Sequence, residues 1–309
     1  MTQKRSFTVL SSFILKIVAM AAMTFDHIGW MIGDTLGNNF WVVNLFRIIG
    51  RLALPLFCFM ITEGVLHTKR IGHYFLRLGI MGTLVSLAIL LVEYLPMFDG
   101  FSVRAEGNIF VDLLLGAIAV FFLKRKEIYY KFFLKRKEIY YKLLCLIPLG
   151  IGVASFFAVA LESQGILIHW FPFFLRPQYH FYGILMIILF YVAYLLKDQY
   201  LKWYSNNSGI PVESLQGTNV DRISANLFAV FMVVFSTLLY FALFFLIPSK
   251  WVFWDPYTQN YAILSGAFIL LYSGKRGYNA KWFQYGSYLY YPLHLVVIIL
   301  IFVLVNGGF

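Results

Sequence analysis

Apolar positions in this chain fall in long continuous runs and seldom alternate with polar ones. The runs lie at about 12–33, 41–66, 72–95, 108–123, 143–161, 181–196, 226–247, 259–273 and 289–306. Most approach the roughly 20 residues an α-helix needs to cross a bilayer. A transmembrane β-barrel would instead show segments of period-two alternation. The pattern therefore predicts an all-α polytopic transmembrane bundle of about nine spans (eight to ten), with 108–123, 181–196 and 259–273 the short ones. The stretch "LIHWFPFFLRPQYH" ahead of the sixth run carries two prolines and many aromatics, and reads as a re-entrant or interfacial loop. The segment "WYSNNSGIPVESLQGTNVDR", 203–222, reads as a flexible linker within a cytoplasmic loop at 197–225. No stretch predicts a soluble domain, so residues 1–309 form one membrane domain.

Composition supports this reading. Hydrophobic residues make up 61% of the chain, charged residues 13%, and the mean hydropathy is +0.77. A soluble domain carries about 25% charged residues. The net charge of +11 raises the question of nucleic acid, and the distribution of the charges answers it. With the N-terminus inside, the inner segments hold eighteen of the basic residues, among them Lys69, Arg70, Lys197, Arg222, Lys275 and Arg276. The outer loops hold only Arg104, Arg176 and Lys250. Such an excess follows the positive-inside rule and predicts a cytoplasmic N-terminus. It also fits contact with anionic lipid, with no nucleic-acid partner.

The opening "MTQKRSFTVLSSFILKIVAM" imitates a signal peptide, but Lys16 interrupts its apolar part and the run continues to Ile32, so a retained first span in a plasma or inner membrane is expected. The segment 121–142 is a perfect tandem repeat of "FFLKRKEIYYK", placed on the cytoplasmic side. Eleven residues are close to three helical turns, so a second copy preserves the helical face. This reads either as a polybasic arm for phosphates or as a tolerated duplication. Cys58 and Cys145 lie in apolar runs and predict free thiols.

Ionisable residues inside spans are costly and mark candidate sites. Here they are Asp26, His27, Arg47, Arg51, Glu63, Arg77, Asp112 and His294, with His67 and Glu93 near span ends. His27 lies about 21 Å along the first span, in the outer third of a core about 30 Å thick. Arg47 and Arg51, on the returning second span, reach a similar depth and share one face as an i, i+4 pair. Two arginines there need a counter-ion, and Asp26 can serve one of them. Neighbouring helical residues diverge by about 100°, so His27 takes its orienting partner from another helix. Glu63 and His67, followed by Lys69, Arg70, His73 and Arg77, form a cationic collar suited to phosphate groups or to topology alone. Tyr290, Tyr291 and His294 belong either to the same cavity or to an interfacial aromatic belt. No H-E-x-x-H or paired cysteines predict a metal site, and no P-loop predicts a nucleotide fold. From the residues alone, the Asp/His/Arg cluster reads as a catalytic site, as a transporter or flippase substrate site, or as a lock between helices.

Two stretches also carry a resemblance. "LKIVAMAAMTFDHIGWM" and "RIIGRLALPLFCFMITEGVLHTKRIGHYFLRL" resemble the TraX family of integral membrane proteins, through the Asp-His-Ile-Gly of the first helix and the R-x-x-G-R-x-A-x-P second helix. "GSYLYYPLHL" is similar to the last helix of wider transmembrane acyltransferases. The resemblance implies an acetyltransferase that moves an acetyl group from acetyl-CoA to an amine or hydroxyl of an extracytoplasmic acceptor: a pilin-like protein, an envelope glycan or a lipid. It makes His27 the expected base or acetyl carrier and Asp26 its polar support or the arginine counter-ion. Arg51 is then a candidate oxyanion donor, while Arg47, Glu63, His67, Lys69, Arg70, His73, Arg77, Tyr291 and His294 are candidates for binding acyl-CoA or substrate.

Overall fold

The computed structural model describes residues 8–36, 40–93, 107–125, 137–247 apart from 167 and 169, and 256–306. Among these the elements are helical: α1 (Ser12–Leu36), α2 (Trp41–Gly50), α3 (Ala53–His67), α4 (Ile71–Glu93), α5 (Ile109–Lys124), α6 (Lys137–Leu143) and α7 (Leu146–Glu162). They continue with α8 (His180–Ser208), α9 (Val212–Leu215), α10 (Asn219–Leu246), α11 (Pro256–Gln259), α12 (Ser265–Leu270) and α13 (Lys281–Asn306). The chain is a polytopic helical membrane protein. Among the described residues, seven segments are long and apolar enough to cross a bilayer by length and composition: Ser12–Gly33, Trp41–His67, Ile71–Leu91, Tyr140–Glu162, Phe173–Ser208, Asn219–Leu246 and Lys281–Ile301.

Two of the nine expected runs fall outside those seven. Helix α5 has 16 residues, about 24 Å of helix against a core of about 30 Å. The run 259–273 is helical only in pieces, with a 3-10 turn at Asn260–Leu264 between α11 and α12. Within the second run, α2 and α3 are separated by Arg51 and Leu52. Pro55 has no N–H to donate and its ring crowds the carbonyl of residue 51, so the break falls there. The polar linker is shorter than its composition predicts. Helix α8 runs on to Ser208, ends on Gly209 in the left-handed region (φ +70°), and α10 begins at Asn219. Lys197 bridges Asp198 at 2.8 Å and Asp221 at 3.0 Å, which ties the polar end of α8 to α10. Of the tandem repeat, residues 126–136 lie outside the described residues.

The chain divides into two compact units. The first takes Met1–Met60, Leu189–Phe241 and Asp255–Phe302. Its core is Leu15, Ala19, Leu56, Cys58, Phe59, Phe190, Ala193, Ala229, Val233 and Ile269, each almost wholly buried. Phe59 stands edge-on to Phe190 and to Tyr272, with centroids 5.4 and 5.3 Å apart. The backbone leading into α1 is strapped to the segment after α12: the Val9 and Leu10 N–H groups donate to the Leu271 carbonyl, and Ser273 N–H donates back to Leu10. Asn226 of α10 holds the same strap by donating to the Leu270 and Tyr272 carbonyls.

The second unit takes Ile61–Ile188, Ala242–Trp254 and Val303–Phe309. Helix α5 is apolar all round and is buried accordingly, with Ala117, Ala119 and Val120 fully enclosed. Asn108 caps it by accepting from Phe110 N–H, and its amide donates to the Gly82 carbonyl and the Ser86 hydroxyl of α4. From residue 170 to α8 the Pro-rich stretch is a loop with one 3-10 turn at Phe173–Leu175. Arg176 pairs with Glu162 through two bonds of 2.6 and 2.7 Å. Asp112, fully buried on α5, accepts from the Gln178 and Tyr179 N–H groups and so anchors the loop that leads into α8. An intramembrane carboxylate that the sequence marks for chemistry thus has a structural task. On α4, Leu76, Ile80, Leu84, Leu87 and Leu91 stand exposed at helical spacing, the face a lipid-contacting helix presents.

Candidate functional site

The first unit gathers the polar residues of α1. Gly29 lies where α1 crosses α2: a Cβ there would come within 2.9 Å of the Phe46 Cβ. Gly50 lies against Asp26, and a Cβ at that position would overlap the Asp26 side chain itself. These two glycines let the helix backbones approach closely enough for Asp26 to reach the arginines. Its Oδ1 accepts from Arg51 Nη2 at 2.6 Å and pairs with Arg47 Nη1 at 3.1 Å. One carboxylate therefore serves both guanidinium groups, where the sequence predicts a counter-ion for one. The group carries a net charge of +1.

The two arginines are not equivalent. Arg51 donates from Nε to the Arg47 carbonyl at 3.3 Å and from Nη1 to Gln259 Oε1 at 3.2 Å. Its side chain is 10% exposed, that of Arg47 33%. Arg51, the expected oxyanion donor, is thus the more enclosed of the two and Arg47 the more exposed. Gln259 is missed by the sequence argument. It stands at the end of α11 in a weak, interrupted run, and only its polarity in an apolar context marks it.

His27 points away from Asp26, towards α13. Its Nδ1 lies 2.8 Å from His294 Nε2, and His294 Nδ1 lies 2.9 Å from the Tyr290 carbonyl oxygen. The Tyr290 ring stacks on His294 at an interplanar angle of 8° and a centroid distance of 5.2 Å. Tyr291 stands edge-on to both imidazoles. Thr24 donates to the Met20 carbonyl at 3.0 Å, so the Tyr290 hydroxyl is the donor in its 2.6 Å bond to Thr24 Oγ1. Thr24 and His27 share one face of α1, and Tyr290 and His294 share one face of α13. The same seam holds Lys16, 3.4 Å from Ser287 Oγ and placed over the Phe283 ring.

The structure therefore brings Asp26, His27, Arg47, Arg51, Tyr291 and His294 into one group. The remaining candidates belong to the second unit. His67 donates from Nδ1 to the Glu63 carbonyl at 2.9 Å and lies 3.9 Å from the Glu63 carboxylate. Lys69, Arg70 and His73 are exposed, and the Arg77 guanidinium lies over the Tyr74 ring. Lys124, a basic residue of the repeat, is committed: its Nζ donates to the Val65 and Leu66 carbonyls at the end of α3.

The chain is similar to the probable fimbrial assembly protein FimC, serogroup H1, of Dichelobacter nodosus, with 30% identity over 113 residues. That alignment covers 36% of this chain and 45% of the relative, so the likeness spans about half the relative's length. No solved structure matches the chain. The family model described as TraX protein matches residues 11–302, which takes in the α1–α2 carboxylate–arginine group and the α1–α13 histidine pair alike; the chain belongs to the TraX family.

Proposed function

We propose that this protein transfers an acetyl group from acetyl-CoA to an amine or hydroxyl of an extracytoplasmic acceptor, with His27 as the general base. The observation that carries this reading is the imidazole of His27, held at Nδ1 by His294, beside a group of one carboxylate and two guanidiniums with an excess positive charge. A positioned imidazole is suited to taking a proton from an attacking amine or hydroxyl. A cationic, water-poor surrounding favours the oxyanion that forms when the acyl carbonyl is attacked. Arg47, the more exposed guanidinium, is the better placed of the two to meet that oxyanion, and Asp26 keeps both arginines in register. Acetyl-CoA supplies the activated acyl group. The exposed Lys69, Arg70 and His73 offer the donor set that phosphates need.

Membership of the TraX family and similarity to a protein named for fimbrial assembly favour a pilin-like protein as the acceptor. The purified protein with isotopically labelled acetyl-CoA tests the reading. Wild type should release CoA and label an acceptor, and His27→Ala should lose about 10²- to 10⁴-fold, the range general-base catalysis supplies. A wild type that neither releases CoA nor labels any pilin, glycan or lipid acceptor would falsify it. Full activity in His27→Ala would keep the enzyme and remove this base.

A further inference from the structure

We infer that His294 is a positioning residue that fixes the tautomer of His27, so that the reacting nitrogen is His27 Nε2; this rests on the acetyltransferase reading. A backbone carbonyl only accepts, so the 2.9 Å bond to Tyr290 requires a proton on His294 Nδ1. A neutral imidazole carries one proton, which leaves His294 Nε2 as an acceptor. The 2.8 Å bond then requires the proton on His27 Nδ1. The lone pair of His27 consequently sits on Nε2, on the ring edge turned away from α13.

His294 itself has little freedom to change roles. It is 6% exposed, stacked on Tyr290 and flanked by Tyr291, and Tyr290 is pinned through its hydroxyl to Thr24. Asp26, the neighbour in sequence, does not supply this function, because its carboxylate is engaged by Arg47 and Arg51. The charged and titratable groups around His27 are thus Asp26 on α1, Arg47 on α2, Arg51 at the break after it, and His294, Tyr290 and Tyr291 on α13. The orienting partner is a neutral imidazole on another helix.

The arrangement also balances the proton of the proposed reaction. When Nε2 takes a proton from the acceptor, the Nδ1 proton can pass to His294 Nε2, and the positive charge is shared between the rings. The new bond joins the acceptor nitrogen or oxygen to the acyl carbon, and the carbon–sulfur bond breaks. The proton held by the histidine pair returns through Nε2 to the departing thiolate.

Two measurements test this. Nitrogen-15 NMR of histidine-labelled protein in micelles, with the His27 signals assigned by their loss in His27→Gln, reads the tautomer without any acyl donor. Its outcome therefore stands whether or not acetyl transfer is found. A proton on Nδ1 and none on Nε2 is expected, and the opposite assignment overturns the inference. Kinetics supply the second. His294→Phe should lower kcat by about 10-fold or more, as removal of the hydrogen-bond partner does for a metal-bound imidazole and more steeply for a catalytic one, with KM nearly unchanged. His294→Gln, whose amide oxygen can accept from His27 Nδ1, should recover most of that loss. Equal defects in the two variants, in protein of equal thermal stability, would also overturn it.

Discussion

The fit of Asp26 against Gly50 offers a test in which two effects of opposite sign compete. Replacing a helix glycine by alanine stabilises by up to about 1 kcal/mol through propensity. At position 50, however, the new Cβ overlaps the Cβ, Cγ and Oδ1 atoms of Asp26, so backbone and side chain have to part by roughly 1 Å to restore ordinary carbon contact. Overpacking of this kind costs about 1–3 kcal/mol. It should outweigh the propensity gain, because Asp26 is also held in place by two ion pairs. Gly50→Ala is therefore expected to lower thermal stability. A displacement of about 1 Å beside a catalytic group can cost about 100-fold in rate, so acetyl transfer should fall steeply as well. Gly286→Ala in α13 is the matched control, since a Cβ there meets nothing within 4 Å. It should raise thermal stability slightly and leave transfer unchanged. A thermal-shift series in detergent together with labelled acetyl transfer measures both. If Gly50→Ala behaved like Gly286→Ala, the close approach of α1 and α2 would not be what positions Asp26.

Arg51→Lys should destabilise more than Arg47→Lys, by about 1–2 kcal/mol, because lysine cannot reproduce the fork that bonds Asp26 and Gln259 together; equal thermal shifts would contradict this. Asp26→Asn should lower both thermal stability and acetyl transfer. Asp112→Asn should cost about 1 kcal/mol or more of stability by weakening its bonds to the loop before α8, with transfer per folded molecule unchanged, since Asp112 belongs to that loop and to the packing around Gly183. Deleting residues 132–142 removes one whole copy of the tandem repeat and preserves helical phase, so CoA affinity measured by calorimetry should stay the same; weaker binding would assign the repeat to phosphate recognition.

Much of this site can be read from spacing. The divergence of adjacent helical residues separates Asp26 from His27, and the i, i+4 interval puts Arg47 and Arg51 on one face. Counting rise from each span end brings the three charged residues to one depth, and the structure joins them. What spacing does not carry is pairing between helices far apart in sequence. Tyr290 meets Thr24 across 266 residues, and Gln259 meets Arg51 across 208, with no local pattern to announce either. The linker at 203–222 is misread because its composition is that of a loop. Tertiary contact of Lys197 with Asp221 and the glycine stop at 209 accompany helix ends at 203–208 and 219–222, which take half of it. Asp112 is misread for the converse reason. A buried carboxylate looks like chemistry until its acceptors are seen to be filled by the N–H groups of a loop that the sequence leaves unplaced.

The Asp26→Asn variant separates field from geometry within the site. Asparagine removes one negative charge and raises the local excess from +1 to +2. If the field alone set the rate, an oxyanion about 6 Å away would gain roughly 3 kcal/mol at an effective dielectric near 20, which is more than 100-fold. The geometry of the site acts in the opposite direction. Without the carboxylate the two guanidiniums repel each other, and breaking a buried ion pair costs about 3–5 kcal/mol, towards the lower end here because Asp26 keeps 15% exposure. The lost energy is spent on moving Arg47 and Arg51 apart, and the turn that carries Arg51 packs on the same α1 that carries His27. A field without fixed donors stabilises an oxyanion poorly, because catalytic electrostatics depends on dipoles and charges already in place. Transfer should therefore fall in Asp26→Asn even though the site becomes more positive. A faster variant would mean that Asp26 restrains the chemistry and that the arginines hold their places without it.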